Sequence, residues 1–249
     1  MIVVKSPREI ELMANACRIA AEVLGKVSAM ATVGVKTKDL DSAAYDFIRS
    51  AGAKPAFKGY RGYPATLCVS VNDEVIHGIP SLRTLKKGDL ISLDIGVLSD
   101  GYYGDSAKTV LIGEVAPVAE KLVSVTKDAL YAGISAAKVG NRVSDISYAV
   151  QAVVEKNGFS VVREFVGHGI GRKLHEDPQI PNYGEPGKGA LLKPGMTLAI
   201  EPMVNAGRHE VRVLADKWTA VTLDGSLSAH FEHTVAVTEK GPRILTYCE

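Results

Sequence analysis

Two acidic residues set inside a hairpin signal constrain this chain more than any other feature. Leu90-Ile91-Ser92-Leu93-Asp94-Ile95 alternates in the manner of a strand, and Tyr103 to Ile112 is a second strand-like run. Between them, Leu98-Ser99-Asp100-Gly101 carries an Asp-Gly pair, which suits a tight hairpin turn because both residues tolerate positive φ. With Asp100 and Gly101 as the loop, Ser99 faces Tyr102, Gly96 faces Asp105, and Asp94 faces Ala107. Asp94 and Asp105 then lie diagonally on one sheet face, with Cβ atoms roughly 7 Å apart. Two carboxylates aimed at one space repel each other unless a cation or a shared proton lies between them. Taken alone, the hairpin is equally consistent with two acids solvated at a sheet rim.

The same order of elements flanks the hairpin twice. Ser6-Pro7-Arg8-Glu9 reads as an N-cap, a first-turn proline and a capping-box glutamate. Ile10, Met13, Cys17, Ala21 and Leu24 then recur at helical spacing, predicting a helix to about Met30. After a break at Val33-Gly34, a second helix carries Leu40, Ala44, Phe47 and Ile48 and ends near Gly52, with strand-like alternation from Thr66. At a shift of 106 residues the order returns: a helix from about Pro117 to Ala137, a break at Val139-Gly140, a helix carrying Ile146, Val150 and Val154, and a stop at Asn157-Gly158. This pattern suggests an internal duplication.

Composition narrows the class without naming a partner. The 249 residues, 46% hydrophobic and 23% charged, fit one large domain or two small ones. Lys plus Arg total 29 against 28 for Asp plus Glu, so no bulk field draws the chain to nucleic acid or an anionic membrane. The start, MIVVKSPREIELM, lacks a signal-peptide pattern, and no stretch approaches the ~20 apolar residues of a spanning helix, so a cytoplasmic location is expected. Cys17, Cys68 and Cys248 are odd in number and widely spaced, which points to reduced thiols.

Further polar residues sit in the same kind of apolar setting as the hairpin acids. Phe165-Val166-Gly167-His168-Gly169-Ile170-Gly171 flanks a histidine with glycines that let a ligand approach the imidazole, and His175 follows seven residues on. Glu201 lies in Leu198-Ala199-Ile200-Glu201-Pro202, and Glu232 in Ala229-His230-Phe231-Glu232-His233-Thr234-Val235. Four carboxylates and one imidazole, from Asp94, Asp105, Glu201, Glu232 and His168, suit a divalent ion such as Mn, Fe, Co or Zn. His209, His230 and His233 are read as structural, and Met13 and Met30 as core.

In order and context those five residues resemble the ligand set of the methionine aminopeptidases, through the segments DIGVLSDGYYGDSAKT, GHGIGRKLHEDP, KPGMTLAIEPM and FEHTVAVT. The resemblance spans essentially the whole chain. It implies an α+β pita-bread fold, with a pseudo-twofold antiparallel sheet backed by helices, in one catalytic domain over residues 1–249 built of two repeats, approximately 1–112 and 113–249. It also implies two divalent metal ions (Co, Mn, Fe or Zn) held by Asp94, Asp105, His168, Glu201 and Glu232. A water or hydroxide bridging them would attack the scissile carbonyl, with Glu201 as proton shuttle. His175 would hydrogen-bond the carbonyl oxygen, and His77 would contact the amide side of the scissile bond. Tyr60, Tyr63, Cys68, Phe165, Leu174 and Trp218 would form the methionine pocket, where aromatic faces and sulfur suit a thioether. A monovalent cation would sit near Asn72, Glu74 and Ser228. Expected substrates are N-terminal methionyl peptides and nascent chains with small second residues, met in transient association with the ribosome by a monomer without nucleic-acid specificity or membrane attachment. Leu174 replaces a common phenylalanine of the family and Gly96 a common threonine, which bears on pocket shape and on the hydrogen bonds around the ligands.

Xaa-Pro aminopeptidases and prolidases share this fold and ligand set, so the metal residues alone leave the substrate open. Those enzymes usually carry an additional N-terminal domain, whereas the first helix here starts at Ser6. Glu201 and Glu232 lie 31 residues apart, without the long insertion of type II methionine aminopeptidases, which favours type I. A non-catalytic pita-bread binding protein would have little use for all five ligands. A two-metal phosphoesterase would want basic residues beside the metals, and the DIG, GHG and IEP segments supply none.

Overall fold

The computed structural model describes residues 1–247; Cys248 lies outside them. Ser6 caps the first helix, α1 (Pro7–Met30), its hydroxyl accepting from the Glu9 N–H while the Glu9 carboxylate accepts from the Ser6 N–H at 3.0 Å. The helix buries Ile10, Met13, Cys17, Ala20, Leu24 and Val27 along one face. Three further helices follow the expected limits closely: α2 (Thr37–Ser50), α3 (Pro117–Ala136) and α4 (Val143–Lys156). None is long and apolar enough to cross a membrane.

A nine-stranded antiparallel sheet forms the centre. From one edge its path runs through Lys54–Pro55, Leu90–Ser99, Tyr102–Leu111, Glu232–Thr238, Thr197–Ile200, Gly167–Gly169 and Glu176–Ile180. Leu67–Val71 joins Leu90–Ser99, and Gly241–Ile244 joins Glu232–Thr238. Two three-stranded sheets complete the framework. One contains Ser160–Val161, Met203–Asn205 and Ser228–His230; the other contains Glu74–Ile76, Val211–Val213 and Ala220–Thr222.

The long hairpin adopts the register its turn chemistry dictates: Ser99 faces Tyr102, Gly96 faces Asp105, and Asp94 faces Ala107. Asp100 and Gly101 both have positive φ, 51° and 79°, the turn geometry that matches strand twist. Alternation then sorts the side chains. Ile91, Leu93, Ile95 and Val97 pack with residues of α1 and α2 in one core, while Asp94 and Gly96 belong to the other face. At Gly104 the helix comes so close that an added Cβ would lie 2.6 Å from the Cys17 nitrogen. On the other half of the sheet, Leu198, Ile200, Val235 and Val237 pack with α3 and α4 residues Leu130, Ile134 and Ile146.

The run after Thr66 departs from the expected alternation, because Leu67–Val71 is buried at every residue. Leu67, Val69 and Val71 enter the α1/α2 core, and Cys68 faces a second apolar cluster with Tyr63 and Leu174. Both faces of this strand are covered, and its one polar side chain, Ser70, is satisfied internally by accepting from the Gly78 N–H at 3.1 Å.

Candidate metal centre

Five neighbouring strands deliver the five candidate ligands in spatial sequence. Asp94 comes from Leu90–Ser99, Asp105 from Tyr102–Leu111, Glu232 from the start of Glu232–Thr238, Glu201 from the residue after Thr197–Ile200, and His168 from Gly167–Gly169. Thr234 ties the middle of this set together. Its hydroxyl accepts from the Asp105 N–H at 3.1 Å and donates to the Asp105 carbonyl at 2.9 Å.

All five residues are buried, none more than 7% exposed. Ligand atoms of Asp105, His168 and Glu232 lie within 4.8 Å of one another. His168 Nε2 is 3.5 Å from Glu201 Oε1. His168 Nδ1 lies 2.8 Å from the Gly169 carbonyl, a partner that can only accept, so Nδ1 carries the proton and Nε2 presents a lone pair to the carboxylates. Asp94 Oδ1, Asp105 Oδ1 and Glu232 Oε1 are buried without a hydrogen-bond partner.

Unpaired buried carboxylates are costly, and here they crowd together. Burial is the main cause pushing the Asp94, Asp105, Glu201 and Glu232 carboxyls above their ordinary range; repulsion among the acids adds to it at Asp94, Asp105 and Glu232. His168 is pushed down to about 3, first by burial and then by the neighbouring His175. Four acids and a neutral imidazole with free acceptor atoms converging on one space fit divalent cations by donor chemistry, charge and satisfaction of the orphaned oxygens.

These groups line one end of a cavity of about 140 Å³. Its remaining walls include Tyr60, Tyr63, Cys68, His77, Leu174, His175 and Trp218. Burial raises the Cys68 thiol well above its ordinary value, so it faces the cavity as a neutral, soft sulfur. The Tyr63 hydroxyl donates to the Gly78 carbonyl at 2.9 Å, which turns its ring edge-on to Trp218 at 5.1 Å. His77 has a left-handed φ of 60° and stands edge-on to Trp218 and Phe165. Desolvation lowers it to about 4. The following glycine allows that turn, since a Cβ on Gly78 would lie 2.2 Å from the Val69 carbonyl oxygen. His175 lies beside His168 with ring centroids 4.3 Å apart, and its Nδ1 is 2.8 Å from the Tyr60 hydroxyl.

Not every anticipated residue reaches the cavity wall. Phe165 is not part of the cavity wall; it packs edge-on against His77, which is, with ring centroids 5.6 Å apart. Phe57, Arg61 and Ile76 line the cavity without having been singled out in the sequence. Phe57 explains Gly96: a Cβ there would lie 2.5 Å from the Phe57 ring. His230, read from sequence as structural, is 1% exposed and sets its partnerless Nε2 3.7 Å from Glu201 Oε2. Its position two residues before Glu232 was the available signal, since residues at that spacing share a strand face. His233 points elsewhere, with Nδ1 2.9 Å from the Thr246 hydroxyl. Away from the metal-ligand set, Asn72, Glu74 and Ser228 come together, the Asn72 carbonyl accepting from the Ser228 N–H at 2.9 Å and the Glu74 carboxylate from the Val71 N–H at 2.8 Å.

Comparison with known proteins places this geometry. The family model described as metallopeptidase family M24 matches residues 11–239. The chain is 55% identical to methionine aminopeptidase 1 of Bacillus subtilis over 99% of both sequences. It is 45% identical to the methionine aminopeptidase of Escherichia coli over 98% of this chain and 94% of that one. Among solved structures, the methionine aminopeptidase of Thermotoga maritima superimposes with a TM-score of 0.98 at 48% identity, covering the whole of both chains. A prolidase from Pyrococcus horikoshii, 23% identical with a TM-score of 0.81 over 100% of this chain and 65% of its own, shares the fold alone.

Proposed function

The chain belongs to metallopeptidase family M24, and from that premise we propose that it is a methionine aminopeptidase, releasing N-terminal methionine from peptides by metal-dependent hydrolysis. Its pita-bread architecture is shared with prolidases, so fold alone does not choose the substrate. One observation carries the choice: the buried acid and histidine cluster closes one end of a cavity walled by Tyr63, Cys68, Leu174 and Trp218, which offers aromatic and sulfur contacts to a thioether.

Asp94, Asp105, His168, Glu201 and Glu232 would hold two divalent ions. When bound, these ions supply a water acidified toward neutral pH and positive charge that polarises the scissile carbonyl. Glu201 is the proton shuttle, taking a proton from the attacking water and passing it to the departing amine. His230 faces the same carboxylate, its Nε2 3.7 Å from Glu201 Oε2. His175 donates to the carbonyl oxygen as charge develops there, and His77 contacts the amide nitrogen side. The crowding of His77, His168 and His175 around the cavity supports a preference for small second residues.

The finer reading has one domain made of two copies, approximately residues 1–112 and 113–249. It is supported by α2 and α4, which occupy Thr37–Ser50 and Val143–Lys156 at the same shift of 106 residues, and by Gly34 and Gly140, both with φ of 91°. It also has the enzyme acting in the cytoplasm as a monomer on nascent chains in transient contact with the ribosome, with a monovalent cation near Asn72, Glu74 and Ser228.

The test is methionine release from Met-Gly-Met-Met by metal-free protein reloaded with Mn, Fe, Co or Zn, beside an Xaa-Pro peptide and a Glu201→Ala control. Metal-dependent release from the methionyl peptide alone supports the proposal. Cleavage of the Xaa-Pro peptide moves the chain to the prolidase branch, and no turnover with any metal leaves a binding protein.

A further inference from the structure

We infer that Tyr60 is a positioning residue for His175: its phenolic hydroxyl donates to Nδ1 and so keeps the imidazole in the tautomer whose proton sits on Nε2. This rests on the proposed donor role of His175 and extends it, because a neutral imidazole can donate to a substrate oxygen only from the nitrogen that carries the proton.

The contact is short and well placed, 2.8 Å from the Tyr60 oxygen to Nδ1. Of its two proton arrangements, O–H···N pairs the stronger acid with the stronger base. Phenol is far more acidic than a neutral imidazole N–H, and the imidazole nitrogen is far more basic than a phenolic oxygen. Arg61 reinforces this choice. Its guanidinium lies 5.4 Å from the centre of the Tyr60 ring, where positive charge strengthens the hydroxyl as a donor. An Nδ1 that accepts the phenolic proton presents a lone pair, so the ring in this contact is a neutral imidazole and its tautomer matters.

The loop is built to fix Tyr60. Gly59, Arg61 and Gly62 have φ of 86°, 49° and 91°. A left-handed arginine costs of order 1 kcal/mol and persists only where its surroundings over-determine it. Here the Gly59 N–H donates to the Tyr63 carbonyl, the Tyr60 N–H to the Phe57 carbonyl and the Tyr63 N–H to the Tyr60 carbonyl, all within 2.9 Å. A side chain that served only as apolar wall would have no need of its hydroxyl or of such a turn.

Tyr60→Phe keeps the ring and removes the hydroxyl. With Met-Gly-Met-Met and the reloaded enzyme, kcat should fall about tenfold while KM stays within about twofold; the loss is smaller than for deleting a donor outright because water can replace the hydroxyl. In a His175→Ala background the same change should cost nothing further. The independent readout is 15N NMR of histidine-labelled, zinc-loaded protein, in which His175 should show an unprotonated Nδ1 and a protonated Nε2, with mixing of the two in Tyr60→Phe. An unchanged kcat with raised KM, additive losses in the double variant, or a wild-type spectrum with the proton on Nδ1 would each overturn the assignment. The wild-type spectrum requires no variant to fold. If wild-type protein fails to turn over any peptide, the aminopeptidase reading falls, and the spectrum still decides what Tyr60 does.

Discussion

At the scale of the residue, Gly96 shows how a site position is governed by a neighbour distant in sequence. Phe57 occupies the space a side chain at 96 would need, with the nearest ring carbon 2.5 Å from an added Cβ. An aromatic ring flanked by the 96 backbone cannot yield as a flexible side-chain end would, so Gly96→Thr should lower stability by about 1–3 kcal/mol in urea unfolding. Combining it with Phe57→Ala should recover part of that loss, and additive losses would show that Phe57 is not the obstacle. His230 offers a second check at this scale. Its unpartnered Nε2 faces Glu201, so His230→Ala should reduce kcat about tenfold or more with methionine release as the assay, whereas a purely structural histidine would lower melting temperature and leave kcat intact.

Elements owe their placement to local signals that agree with their surroundings. The α1 capping box involves Glu9, whose carboxyl is held at about 2, first by the Ser6 backbone N–H and then by the Tyr102 and Ser6 hydroxyls. A carboxyl held lower in the folded than in the unfolded chain contributes stability above its unfolded value, here about 4.5, and loses that contribution as pH falls from there toward 2. Glu9→Gln should therefore bring the melting temperatures at pH 7 and pH 3 closer together, and an unchanged difference would remove Glu9 from the account. The hairpin is the second element read with full register, because a two-residue turn and a period of two leave no freedom to slip. Leu67–Val71 was legible as a strand but not in its burial, since coverage of its second face comes from residues such as Leu174, over a hundred positions away.

Across the whole molecule, the centre is a concentration of negative charge that folding must accommodate. With their pKa values raised by burial, the apo carboxylates favour protonation, so stability of the metal-free protein should fall as pH rises from their unfolded range near 4 through their folded values, about 7 at Asp94 and about 8 at Glu201. Divalent ions bind the deprotonated forms, and the rise in melting temperature on adding Mn or Co should grow from pH 6 to pH 8. A shift independent of pH would argue against binding at these acids. Far from the cluster in sequence, Lys5 makes a buried ion pair with Glu176 at 2.7 Å, tying the N-terminal segment to the residue beside His175. Lys5→Ala removes the counter-charge and leaves the Glu176 carboxylate with the Lys173 N–H as its partner, and should cost about 2–3 kcal/mol in chemical unfolding.

The sequence by itself determined the helix limits, the hairpin register and the convergence of Asp94 with Asp105, since these follow from capping, periodicity and turn chemistry within short windows. The spacing of Gly167, His168 and Gly169 likewise exposed a histidine with room around it. Only the tertiary structure decided that Phe57 takes the space above Gly96, that His230 faces Glu201, that Phe165 stops behind His77, and that Tyr60 reaches His175 across 115 residues. Those contacts join segments whose approach depends on how the sheet curls and where its helices press. Neither local pattern nor composition encodes that approach, because it is set by packing the whole core at once.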